Sequence, residues 1–149
     1  MKLTAFRALS LATAIAIYIL IVVGGFVSST GSGLACPDWP LCRGQLVPAL
    51  TLNVLIEFTH RVWTIVATLL VVGTMLFAWS KYHWNSRLTK LSTLTFLLLL
   101  CQIILGMVTV ETRTLPIVVT SHLALATLVF ASALTTTLTA MFSDSGRIR

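Results

Sequence analysis

Four stretches of this chain run apolar for about twenty residues each, with short polar segments between them. They lie at about 8–27, 55–79, 91–110 and 118–141. A helix of ~20 apolar residues spans a hydrocarbon layer ~30 Å thick. None of the stretches alternates apolar with polar residues as a barrel strand would, and lipid admits only helices or closed barrels. The pattern predicts a single domain over residues 1–149 with four membrane-spanning helices and an outer loop at about 28–53. The first stretch follows Lys2 and Arg7 as a secretory signal would. Its apolar run exceeds the roughly 7–15 residues of a signal core and no clear small-residue cleavage site follows, so it is expected to stay as a helix.

The stretches form two copies of a pair. Gly25-Phe26-Val27-Ser28 near the outer end of the first resembles Gly106-Met107-Val108-Thr109 near the outer end of the third. Thr59-His60, early in the second, resembles Ser121-His122, early in the fourth. The expected fold is therefore all-α, an integral membrane four-helix bundle built from two repeated helix pairs. Repeats of this kind commonly place functional sites at their interface.

Composition and charge add an orientation. The chain is 57% hydrophobic and 9% charged, against roughly 25% charged in a soluble domain. Its net charge of +6 does not mark a nucleic-acid binder, because the basic residues form no patch and instead punctuate the ends of the apolar runs. Lys2, Arg7, Lys81, Arg87, Lys90, Arg147 and Arg149 fall on one side, and Arg43, Arg61 and Arg113 on or near the other. That asymmetry puts both termini and the 81–90 loop in the cytoplasm and the 28–53 loop outside. Trp79, Tyr82 and Trp84 are expected as interface anchors, with His83 among them a solvated loop residue.

His60 and His122 are the candidate chemistry. Both helices that carry them enter from the outside, and at 1.5 Å per residue both rings lie roughly 6–8 Å down. Ionisable residues inside a membrane are costly and by default mark function. In an up-down-up-down bundle the second and fourth helices are diagonal partners. Their separation, roughly 11–14 Å from ordinary packing distances, suits two imidazoles with a metallated macrocycle between them. Zinc wants further ligands; haem accepts two axial side chains and supplies the rest itself. Small residues (Thr64, Ala67 and Thr68 below His60; Ala126, Val129 and Ala133 below His122) serve either haem room or close helix packing. Glu57, three residues before His60, is either a solvated helix-start carboxylate or a proton acceptor at the haem edge. Glu111 reads as interfacial. Cys36 and Cys42 on the oxidising face invite a disulfide, worth about 2 kcal/mol for so small a loop. Cys101 reads as a small buried hydrophobe. Arg61 and Arg113 would suit haem propionates or lipid headgroups equally.

Thr30-Gly31-Ser32-Gly33-Leu34-Ala35-Cys36-Pro37-Asp38-Trp39-Pro40-Leu41-Cys42, then Glu57-Phe58-Thr59-His60-Arg61, Gln102 through Leu105-Gly106 to Thr109-Val110, and Ser121-His122-Leu123 together closely resemble the haem A synthase family. The resemblance covers essentially the whole chain. It implies a membrane oxidoreductase that converts haem O to haem A by oxidising a porphyrin methyl group to formyl through successive hydroxylations. It implies His60 and His122 as axial ligands of iron, Glu57 in catalysis and a Cys36–Cys42 disulfide. Typical members have eight helices in two halves, each half with a histidine pair, one haem site catalytic and one holding a cofactor haem. A chain of one half then either works as a homo-oligomer or binds one haem and lacks the second site, with haem O as the expected substrate and haem B as the cofactor candidate. It would sit in a prokaryotic cell membrane beside a haem O synthase and an electron carrier. The rival readings are a bis-histidine b-type cytochrome for electron transfer and a haem-handling protein of oxidase assembly.

Overall fold

The computed structural model describes residues 4–49 and 51–142. Lys2, Arg147 and Arg149, which carry part of the orientation argument, lie outside the described residues. Within them stand four helices, α1 (Ala5–Ser29), α2 (Leu52–Lys81), α3 (Arg87–Glu111) and α4 (Pro116–Phe142). All four are long and apolar enough to cross a membrane. The protein is a multi-pass, all-α membrane protein.

Each helix outruns its apolar stretch at both ends, and at three of the starts a capping residue or proline accounts for it. Thr4 accepts the N–H of Arg7 and opens α1 three residues early. Ser86 accepts the N–H of Thr89 and opens α3 four residues early. Pro116 opens α4, where its missing N–H costs nothing. The α3–α4 connection is tight, and both Arg113 (φ 51°) and Thr114 (φ 59°) take the left-handed conformation.

The helices form a ring in which α1 packs on α2 and α4, and α3 packs on α4 and α2. That leaves α2 and α4 on the diagonal, as expected. Three buried layers fill the middle. Ala14, Ile17, Val71, Leu99, Val129 and Ala133 meet at mid-bundle. Phe6, Ala78, Leu88 and Ala140 close the end near the α2–α3 connection. Cys36, Cys42 and Val54 form a cap where the long loop folds over the opposite end. The outward faces are apolar too, with Ile15, Ile65, Leu69 and Ile104 exposed. Trp79 and Trp84 are exposed beside the α2–α3 connection, and His83 there is exposed as well, its Nδ1 taking the N–H of Asn85.

Buried hydroxyls stitch the two hairpins in matching ways. Thr13 of α1 bonds Thr74 of α2 at 2.7 Å, and Thr95 of α3 bonds Ser132 of α4 at 2.8 Å. Thr13 and Thr95 stand eleven residues before Gly24 and Gly106 respectively. Those two glycines each face the histidine of their own hairpin. The repeat is therefore real but its register is off by one from the motif reading: Gly24, not Gly25, corresponds to Gly106. A second expectation fails at Cys101, which is exposed on the outer face of α3 rather than buried.

Candidate histidine site

Both histidines lie near the loop-capped end, His60 eight residues into α2 and His122 six residues into α4. Each ring turns its Cε1 toward a helix neighbour that lacks a side chain. A Cβ built on Gly24 would stand 3.1 Å from His60 Cε1, and one on Gly106 would stand 3.2 Å from His122 Cε1. The glycines thus set how deeply each imidazole can sit between its paired helices.

Among the described residues, three buried side-chain polar atoms lack a hydrogen-bond partner: His60 Nδ1, His122 Nδ1 and Gln102 Oε1. All three belong to this site. An orphaned buried polar atom costs about 1–3 kcal/mol, so their clustering points to a ligand. Gln102, buried in α3, donates to the carbonyl of His122 at 3.0 Å and meets its Nε2 at 3.2 Å. Among the described residues no group of three His, Cys, Asp or Glu side chains converges. A metal on these imidazoles would have to bring most of its own ligands, which is what porphyrin iron does. Two glycine-backed imidazoles on diagonal helices, with unsatisfied nitrogens, fit that group.

Glu57 stands one turn of α2 before His60, and Arg61 follows His60 directly, one turn beyond Glu57. Glu57 is buried, and its Oε1 accepts from Arg61 Nε at 2.9 Å. Arg61 also holds the long loop. Its Nη1 donates to the carbonyls of Asp38 at 2.7 Å and Leu41 at 2.6 Å, and its Nη2 to that of Cys36 at 2.8 Å. Cys36 and Cys42 are disulfide-bonded and wholly buried. All three carbonyls lie in the ring that this bond closes. Beyond the ring, Arg43 (φ 53°) and Gly44 (φ 72°) form a tight turn with Cys42 and Gln45 paired across it. The Asp38 carboxylate accepts the N–H groups of both turn residues. Further back, a Cβ on Gly33 would meet the Thr114 methyl at 3.2 Å, so the loop rests on the α3–α4 connection.

The second copy carries none of this charge. Aligned on the histidines, Val119 stands where Glu57 does and Leu123 where Arg61 does. Conversely, Leu20 occupies the place of Gln102. Arg113 is exposed at the α3–α4 connection, and Glu111 is exposed at the end of α3. The reading of residues alone missed the loop-holding role of Arg61 and the contact between Gln102 and His122. A buried glutamine at the depth of a histidine is the signal that could have found the latter.

Fold and site together define a membrane four-helix bundle with one half-buried histidine in each of two repeated hairpins. Residues 7–147 match the model of the family described as cytochrome oxidase assembly protein, COX15-CtaA. Curated relatives include the heme A synthases of Bacillus licheniformis, 32% identical over 142 residues, and of Bacillus pumilus, 36% identical over 132 residues. The heme A synthase of Bacillus cereus is 34% identical over 129 residues. These matches cover 95%, 87% and 85% of this chain but 47%, 43% and 41% of the relatives. The chain spans less than half the length of these curated relatives, and it belongs to the haem A synthase family.

Proposed function

We propose that the protein is a membrane oxidoreductase of haem A biosynthesis that oxidises a methyl group of haem O to formyl. The observation that carries this reading is Glu57, a buried carboxylate one helical turn from His60 with no counterpart in the second copy. Axial ligation needs two imidazoles and nothing more; a carboxylate beside only one of them serves chemistry. Haem iron, when bound, would supply the oxidising power. His60 and His122 would hold it, and Gly24 and Gly106 would fix the depth of the two rings. Taking the methyl group to formyl with the oxygen of water releases electrons, which would pass to the electron carrier, and protons. The ion pair occupies Oε1 of Glu57, and Oε2 accepts no hydrogen bond from a described residue. That oxygen is the proton acceptor in this reading. Arg113 would meet a haem propionate, as would the one N–H of Arg61 that its four protein bonds leave over.

Within this reading haem O and haem A are the ligands, with haem B as a second cofactor. A second copy of the chain would supply a second histidine pair. A haem O synthase and an electron carrier complete the set of partners. The symmetric cradling of the two histidines favours one alternative, a bis-histidine cytochrome that only carries electrons.

Glu57→Gln separates the two. It keeps size and shape while removing basicity, and loss of a general base commonly costs about 10²–10⁴ in rate. The variant is expected to keep a six-coordinate low-spin spectrum, which His60→Ala and His122→Ala should each lose. It should also convert haem O to haem A at least about tenfold more slowly, read by chromatography of haems extracted from cells making haem O. Equal conversion by variant and wild type removes Glu57 from the mechanism. No haem A from folded wild-type protein supplied with haem O moves the assignment to the cytochrome.

A further inference from the structure

The guanidinium of Arg61 is held at both ends of the site. Below it, Nε meets the buried carboxylate of Glu57; above it, three carbonyls of the ring closed by Cys36 and Cys42 take Nη1 and Nη2. The side chains of Arg61 and Glu57 are only 13% and 7% exposed. Four charge-assisted hydrogen bonds on one fork fix it in a plane that an ammonium group could not reproduce. An arginine at a membrane boundary ordinarily extends toward water and headgroups. Here the carbonyl cup keeps it folded back over Glu57. Released from the cup, Arg61 would swing outward and leave a buried carboxylate unpaired. The cup in turn needs the arginine, because three carbonyls converging on one spot repel each other without a cation between them.

We propose that Arg61 is a positioning residue that couples the disulfide-closed ring of the loop to the carboxylate of Glu57. It touches neither the haem iron nor the reacting methyl group; it sets where Glu57 stands and whether it is paired. This rests on the role given to Glu57 above, but the coupling has a readout that needs no turnover. The Cys36–Cys42 bond is buried under the cup. Its rate of reduction by tris(2-carboxyethyl)phosphine in the purified, haem-loaded protein reports how firmly the loop is latched. Coupling between two sites is reciprocal, so changes at Glu57 must reach the disulfide through Arg61.

Arg61→Gln is expected to speed reduction about tenfold or more, the scale of a lost charge-assisted hydrogen bond. Glu57→Gln, which leaves the loop untouched, should speed it about threefold by loosening Arg61. The double variant should match Arg61→Gln alone, as two changes on one chain of contacts do in a double-mutant cycle. Arg61→Lys should fall between wild type and Arg61→Gln, and it carries the comparison if the glutamine variant does not reach the membrane. In conversion of haem O, Arg61→Gln should slow the wild type but not slow Glu57→Gln further. The proposal is overturned if Glu57→Gln leaves reduction unchanged, if Arg61→Gln does, or if their effects simply multiply. It is also overturned if Arg61→Gln converts haem O at the wild-type rate while Glu57→Gln does not. Should Glu57→Gln itself convert at the wild-type rate, the catalytic role of Glu57 fails, and the coupling is then judged by the reduction rates alone.

Discussion

A methyl group added at Gly24 would stand 3.1 Å from His60 Cε1, whereas at Gly25 it would meet nothing within 4 Å. Replacing glycine by alanine inside a helix otherwise stabilises by about 0.5–1 kcal/mol. Gly24→Ala and Gly106→Ala are therefore expected to displace the imidazoles and lower the fraction of low-spin haem. Gly25→Ala should leave the absorption spectrum alone and raise thermal stability in detergent slightly. A spectrum unchanged in all three variants would show that the glycines do not set ring depth. The sequence already marked His60, His122 and Glu57, because ionisable groups in apolar runs stand out by type. It could not choose between Gly24 and Gly25. A glycine pair in an apolar run is ambiguous by one residue, and one residue is about 100° around a helix. The burial of Cys101 was misjudged for a related reason. These helices are apolar on every side, so no stripe in α3 distinguishes the bundle face from the outer face.

At the scale of elements, the spans were legible and the loop was not. Length and apolarity locate a membrane helix to within a few residues, and Thr4, Ser86 and Pro116 carry three of the helix starts into polar sequence. The two cysteines announced a disulfide. Nothing in their spacing announced that the ring would turn three carbonyls onto Arg61, since carbonyl direction depends on backbone conformation rather than residue type. Asp38 is the loop's own clasp. The N–H of Gly44 above all, then that of Arg43, holds its carboxyl below the usual carboxylate range, and the charge of Arg61 adds to this against a desolvation cost. A depressed pKa in the folded state gives stabilisation that is present above the ordinary aspartate value and lost as the pH falls through the lowered one. Protection of the disulfide from phosphine, normalised to a small-molecule disulfide, should thus be flat from neutrality down to about pH 5. It should drop only in the acid range below the usual aspartate value. Asp38→Asn, which cannot titrate, should show weaker protection at neutrality and no such acid step. An identical acid step in that variant would assign it to another group.

For the whole molecule, the diagonal placement of α2 and α4 followed from the up-down-up-down order of four spans. The sidedness rests on the basic residues, and it has a direct check. Leu46, 81% exposed in the loop, and Trp84, 76% exposed in the α2–α3 connection, lie at opposite ends of the bundle. In a Cys101→Ala background, Leu46→Cys is expected to react with a membrane-impermeant maleimide on intact cells. Trp84→Cys should react only after lysis. The reverse pattern would invert the topology. The two hairpins also run in the same direction, so the operation relating them is a two-fold axis along the membrane normal. His60 and His122, with their glycines, obey that axis; Glu57, Arg61 and Gln102 break it. A flat ring gripped across the axis meets the same ligand on each face, and so the histidines by themselves confer no preference among its edges. Regioselectivity, the choice of one methyl group over its neighbours, must then be written in the departures from symmetry. In the proposed reaction, the carboxylate that one hairpin carries and the other lacks is what gives the site a handedness.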